Sequence, residues 1–163
     1  MLRELREEDY PAIIRVLDGW WGGRQMSHHL QRLFFQHFTD TSFAVEADGR
    51  VLAFLVGFLS QSRPGEAYIH FVGVDPAVRG QGVGRTLYQR FFALAADRGA
   101  TEVHCITSPV NKGSIAFHRA MGFRLVPGDT EVDGVPVHTD YDGPGGPRVV
   151  FVKEIGRPGA TLP

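Results

Sequence analysis

The sequence predicts an α+β fold, and three observations carry that prediction. Six short segments rich in β-branched and aromatic residues interleave with four segments whose apolar residues recur at helical spacing. Asp48-Gly49 joins two of the strand segments as a two-residue turn able to take the positive φ of a tight hairpin. The stretch Val72 to Leu87, V-G-V-D-P-A-V-R-G-Q-G-V-G-R-T-L, runs from an apolar strand through a glycine-punctuated loop into a helix, with Asp75-Pro76 ending the strand. At 163 residues the chain suits one domain, expected over 1–155 with a mobile tail at 156–163.

Leu2 to Leu5 reads as a short strand and Glu7 to Leu17 as a helix. Pro11 is tolerated in that helix's first turn, Glu7, Glu8 and Asp9 suit its positive end, and Tyr10, Ile13, Ile14 and Leu17 share one face. Asp18 to Arg24 is expected to be a loop carrying Trp20 and Trp21. Ser27 is expected to cap a second helix that buries Leu30, Leu33, Phe34 and Phe38, leaving His28, His29 and His37 in solvent. Ser42–Ala47, Val51–Phe58 and Ala67–Val74 read as strands, with a turn at Arg63-Pro64-Gly65. Val83, Leu87, Phe91, Leu94 and Ala95 mark a helix that Gly99 stops. Glu102–Thr107 is a further strand, a short helix starts at Asn111 or Ser114 and ends at Met121-Gly122, and Arg148–Glu154 is the last strand.

The glycine loop carries the chemistry. Gly80, Gly82 and Gly84 let a ligand approach the backbone, and the first N–H groups of the following helix have no partner within it, so the turn suits a phosphate. Gly84-Arg85-Thr86 lacks the lysine and upstream spacing of a Walker loop, and the glycine spacing is not that of a dinucleotide fold. Arg79-Gly80-Gln81-Gly82-Val83-Gly84 resembles the Q/R-x-x-G-x-G/A signature of the GNAT superfamily of acyl-CoA-dependent N-acyltransferases. Asn111 through Ala116-Phe117-His118-Arg119-Ala120-Met121-Gly122-Phe123 is similar to that family's later N-x-x-A-x-x-x-Y-x-x-x-G-F block, with His118 in place of Tyr.

The resemblance implies a mixed, mostly antiparallel sheet of six or seven strands flanked by about four helices, whose splayed central strands form the site for acetyl-CoA. It places backbone groups of Val72, Gly73 and Val74 on pantetheine and the thioester carbonyl, and the amides of Arg79, Gly80, Gln81, Gly82, Val83, Gly84 and Arg85 on the pyrophosphate. Asn111 and Phe117 are further cofactor contacts in this reading. His118 takes the place of the tyrosine that commonly protonates the leaving sulfur, a role open to an imidazole with an ordinary pKa of about 6.5. His70, placed by period 2 on the strand face of Val72 and Val74, and Glu46 compete as the general base. Cys105 has no His or Asp spacing that would make it a nucleophile. The expected activity is acetyl transfer to a small-molecule primary amine in a ternary complex. The alternatives are protein N-terminal or lysine acetylation, and a non-catalytic CoA-binding or sensory domain.

Bulk properties narrow the partners. Seventeen basic and 18 acidic residues give a net charge of −1, which suggests neither a nucleic-acid nor a membrane partner. No clustered Cys/His spacing suggests a metal, and neither a signal peptide nor a long apolar run is present, so a cytoplasmic protein is expected, with a homodimer left open. Residues 127–147 carry Asp129, Glu131, Asp133, Asp140 and Asp142 and no Lys or Arg, in a long Gly/Pro-bounded excursion that suits a binding loop. Asp140 and Asp142, with Trp20 and Trp21, are therefore the expected contacts for a cationic acceptor.

Overall fold

The computed structural model describes residues 1–156, so most of the expected mobile tail, residues 157–163, lies outside the described part. Seven strands form one sheet: β1 (Leu2–Glu4), β2 (Phe43–Ala47), β3 (Arg50–Leu59), β4 (Glu66–Val74), β5 (Glu102–Thr107), β6 (Arg124–Leu125) and β9 (Val149–Glu154). Their order is β1-β2-β3-β4-β5-β9-β6, and every neighbouring pair is antiparallel except β4 and β5. Asp48 at φ 51° and Gly49 at φ 72° make the β2–β3 turn, both in the left-handed region that a two-residue hairpin of this hand requires. β7 (Thr130–Val132) and β8 (Val135–Val137) form a separate hairpin.

Helices α1 (Tyr10–Trp20) and α2 (Leu33–His37) contribute to the core on one face of the sheet, and α3 (Val83–Asp97) and α4 (Lys112–Ala120) to that on the other. The first core joins Ile13, Leu17, Leu30 and Phe35 to Phe54, Val56 and Phe71. The second joins Leu87, Phe91 and Ile115 to Leu55, Ile69 and Phe151. β3 is buried on both sides, so its residues 53–56 read as one continuous apolar run. In α1 the spacing of Ile13, Leu17 and Trp20 puts all three on the buried face, and each of the two aliphatic side chains contributes about 1.5–3 kcal/mol by leaving water. Among the described residues, no helix is long and apolar enough to cross a membrane.

Two expectations about the helices change. α1 continues through Asp18 and Gly19 to Trp20, so Trp20 is a helix residue and not part of a loop. Ser27 does not cap a long helix: the Asp18 carboxylate accepts the Met26 and Ser27 amides, each at 2.8 Å, and holds a single 3-10 turn at Ser27–His29. The helix that follows is only five residues long and buries Phe35, while Leu33 is exposed.

Candidate active site

The site begins where the sheet opens. β4 and β5 pair in parallel only at Glu66–Glu102, Ala67–Val103 and Tyr68–His104. Beyond Tyr68 they part, whereas β3 follows β4 to Val74 on its other side. The β4 edge from Ile69 to Val74 is thus left without a strand partner on the β5 side, including Val72, Gly73 and Val74. Gly73 is required by packing, because a Cβ there would lie 2.5 Å from the Phe54 ring.

A cavity of about 890 Å³ runs from this opening past the glycine loop. Gly80 and Gly82 have φ of 78° and 81°, values that only glycine adopts without strain, and Gly82 caps α3. Among the described residues the backbone N–H groups of 80–85 have no acceptor; the first closed bond is Thr86 N–H to the Gly82 carbonyl at 3.0 Å. The charged side chains lining this cavity are Arg24, Arg79, Arg85 and Lys112, with no carboxylate. Free amides at a helix N-terminus inside a cationic wall suit a pyrophosphate. The Arg79 guanidinium itself donates to the carbonyls of Val74 and Trp20 and so ties the end of α1 to the end of β4. Asn111 caps α4, accepting the Ser114 N–H at 3.1 Å, and with Phe117 it lines the cavity.

A second cavity, of about 420 Å³, adjoins the first; the two share Val72, Tyr88, Asn111, Ser114 and His118 as well as Trp21 and Arg24. His118 is buried against Phe151, with ring centroids 4.5 Å apart. Its Nδ1 lies 2.7 Å from the Ser114 carbonyl, which can only accept, so Nδ1 carries a proton. Burial lowers the His118 pKa below its ordinary value, partly countered by that bond. The neutral ring therefore presents a bare Nε2, and this nitrogen accepts the Tyr88 hydroxyl at 2.8 Å. The expected picture of a protonated His118 aimed at the leaving group is corrected accordingly: the proton at this point of the site sits on Tyr88 Oη. Tyr88 was not singled out from sequence. Its phenol pKa is pushed well up by burial.

The competing bases fare differently. A β-bulge between Val56 and Gly57 leaves His70 out of the β3–β4 register, so the alternation restarts beyond it. His70 is therefore not on the face of Val72 and Val74, as strict period 2 required; it stacks on Phe34 at 4.0 Å, on the α1–α2 side. It still lines the smaller cavity, donates Nε2–H to the His29 carbonyl at 2.8 Å, and burial lowers its pKa, leaving Nδ1 unprotonated. Glu46 lines neither cavity: Arg3 Nε binds its carboxylate at 2.6 Å and the same guanidinium grips Asp9 at 2.8 and 2.9 Å, two strands away from β4. It is withdrawn from the site. Cys105 faces the smaller cavity, but burial pushes its thiol pKa up, which suppresses the thiolate.

The acceptor wall is corrected too. Trp20 is largely buried beside Phe54 and lines the larger cavity but not the smaller, and its neighbour Trp21 packs on Phe71 and borders both cavities. The acidic excursion is built by the β7–β8 hairpin, whose Asp133 at φ 51° and Gly134 at φ 75° repeat the turn of β2–β3, and by Asp129, which accepts the amide and hydroxyl of Thr139. Asp142 reaches the smaller cavity; Asp140 is exposed and lines neither cavity. Asp142 is also neutralised, because Arg148 Nε binds it at 2.9 Å and Arg148 lines the same cavity. His29 is exposed, as expected, and also borders this wall.

Comparison with known proteins places these features in a family. Residues 1–123 match the acetyltransferase (GNAT) family. The chain is 33% identical over 98 residues to an L-2,4-diaminobutyric acid acetyltransferase of Nocardia farcinica, covering 60% of this chain and 51% of that protein, so it spans about half that relative's length. It is 38% identical over 112 residues to a protein of the same name from Virgibacillus pantothenticus, covering 69% of each. The fold matches that of Ard1 from Thermoplasma volcanium with a TM-score of 0.76 at 18% identity, over 96% of this chain and 98% of that one.

Proposed function

The chain belongs to the acetyltransferase (GNAT) family, and from that premise we propose that it transfers an acetyl group from acetyl-CoA to a primary amine of a small molecule, directly between the two bound substrates. The observation that carries this reading is the meeting of two cavities, one cationic and one small, at the Tyr88–His118 pair in the mouth of the splayed strands. The residues present fit acetyl-CoA: six unpartnered amides, four cations without a carboxylate, and an unpaired strand edge for an amide-bearing arm. Acetyl-CoA, when bound, supplies an activated acetyl thioester.

This chain's own residues do the rest. The amides of 80–85, with Arg85 and Lys112, hold the pyrophosphate, and the backbone of Val72 to Val74 orients and polarises the carbonyl. Tyr88 Oη and His118 Nε2 act as a two-site proton store. A proton reaching Tyr88 Oη from the amine sends the phenol proton on to Nε2. The resulting imidazolium, its Nδ1–H held by the Ser114 carbonyl, returns a proton through Tyr88 to the leaving sulfur. His70, neutral and with Nδ1 free of a proton, is the residue of this wall suited to keep the acceptor amine deprotonated.

A small acceptor is favoured over a protein because the smaller cavity is walled by Asp142 and Arg148 from the far side of the excursion, and about 420 Å³ suits a small molecule. The names of the two relatives, both acetyltransferases of a diamino acid, support the same choice. The test is release of the CoA thiol from acetyl-CoA by the purified protein, measured with small diamines, amino acids and short peptides. Release that depends on a small amine, with an acetylated product by mass spectrometry, is the expected result. Release with peptides alone, or with no amine at all, would refute the small-molecule reading.

A further inference from the structure

The smaller cavity carries a charge pattern that the sequence did not suggest. Five acidic residues in the excursion suggested a site for a cationic acceptor, yet only Asp142 among them lines the cavity, and Arg148 binds it. Arg24 lines the cavity as well and makes no ion pair or side-chain hydrogen bond among the described residues. The cavity lining thus holds two guanidinium groups and one carboxylate. Arg148 uses Nε on Asp142 and Nη1 on the Pro147 carbonyl, which leaves Nη2 without a partner among the described residues. The remaining titratable lining is His29, His70 and His118 with Tyr68, Tyr88 and Cys105, and none of them adds a negative charge, because burial pushes the two phenols and the thiol up. Burial holds all three histidines below their ordinary pKa, and for His29 the nearby Arg148 works in the same direction.

Such a wall is matched by a ligand with an anionic end. A carboxylate pairs with a guanidinium through short, charge-assisted hydrogen bonds, often two at once. The Asp142–Arg148 pair shares the cavity lining with a second cation, Arg24, and this set is the complement of a zwitterionic amino-acid head. We propose that the acceptor is an amino acid bearing a second primary amine: its carboxylate is held by Arg24 and Arg148, its α-ammonium faces Asp142, and its side-chain amine is the group acylated at Tyr88–His118. The inference rests on the acetyl-transfer reading for that last clause only. Recognition of the zwitterionic head stands on the cavity alone.

The experiment separates the two. With CoA present, binding of 2,4-diaminobutyrate and of 1,3-diaminopropane, which is the same diamine without the carboxylate, is measured by calorimetry on the wild type, Arg24→Gln and Arg148→Gln. In parallel, thiol release from acetyl-CoA is followed with both amines. The wild type is expected to bind the carboxylate-bearing amine about ten- to a hundredfold more tightly, the weight of one to two charge-assisted hydrogen bonds. Each variant should bring that ratio toward one. CoA affinity is measured separately, because Arg24 also borders the larger cavity. Equal binding of the two amines by the wild type, no binding of either, or an unchanged ratio in both variants overturns the inference. Selective binding without any thiol release supports the inference and refutes acetyl transfer, whereas thiol release at equal efficiency from both amines does the reverse.

Discussion

Replacing Tyr88 by Phe removes a single hydroxyl from a ring that is 3% exposed. The ring's edge contacts with Phe117, Phe92 and Phe123, at centroid distances of 5.0, 6.0 and 6.2 Å, remain available to Phe. What is lost is the 2.8 Å bond to His118 Nε2, leaving a buried acceptor without a donor at a cost of about 1–3 kcal/mol. At about 2–4 °C per kcal/mol for a domain of this size, Tm should fall by roughly 2–12 °C. If the pair stores the proton, kcat should fall by about 10²–10⁴, with little change in KM for acetyl-CoA. The double variant Tyr88→Phe, His118→Phe removes both partners, so it should recover most of the lost stability and none of the rate, since the two act as a unit. Steady-state kinetics and thermal denaturation of the two single variants and the double variant read this out. Tyr88→Phe with wild-type kcat would refute the proton store, and strictly additive loss of Tm would refute the bond as its structural basis.

The pH dependence follows from the depressed pKa values of His70 and His118. Both groups protonate in the unfolded chain, near about 6.5, before they do in the fold, so their contribution to stability is complete above that pH and is lost as pH falls through the lower folded values. Tm should drop as pH falls below about 6.5, and kcat/KM should show an acid limb below about 6.5 and no decline from there to neutrality; a rate that rises on acidification would instead restore the protonated-His118 acid. Gly82→Glu places a side chain at φ 81°, at a strain cost of about 1–2 kcal/mol, and a negative charge beside the free amides; calorimetry should find acetyl-CoA binding lost in a folded protein. Glu46→Gln should lower Tm, because Arg3 loses an ionised partner at 2.6 Å, while kcat stays at the wild-type value.

Much of this was legible in the sequence where the signal is local. The turn at Asp48-Gly49 and the strand–loop–helix around Gly80 to Gly84 each depend on a few adjacent residues and are found where the sequence put them, and of the two starts offered for α4 the structure takes Asn111. The same dipeptide rule at Asp133-Gly134, between Thr130–Val132 and Val135–Val137, would have shown the second hairpin; the Gly and Pro residues around it masked the signal. What failed depends on non-local geometry. Period 2 put His70 on the wrong face because a bulge is an insertion in a register set by β3. Tyr88 lies with Phe91 and Ala95 on the buried face of α3 and reads as core; its hydroxyl's partner lies 30 residues away. Counting charge along 127–147 stopped one residue before Arg148, which cancels the carboxylate that matters.

Hydrogen–deuterium exchange with and without acetyl-CoA tests the central claim most directly, because the amides of 80–85 have no acceptor among the described residues and the β4 edge beyond Tyr68 is unpaired on the β5 side. In the free protein the amides of 80–85 should exchange fast, since nothing in the fold protects them. Saturating acetyl-CoA should slow exchange in peptides spanning 80–85 and 69–74 together, leaving β1 and β2 unaffected. Protection elsewhere, or none in either segment at saturation, would contradict an acetyl-CoA site in the splay between β4 and β5.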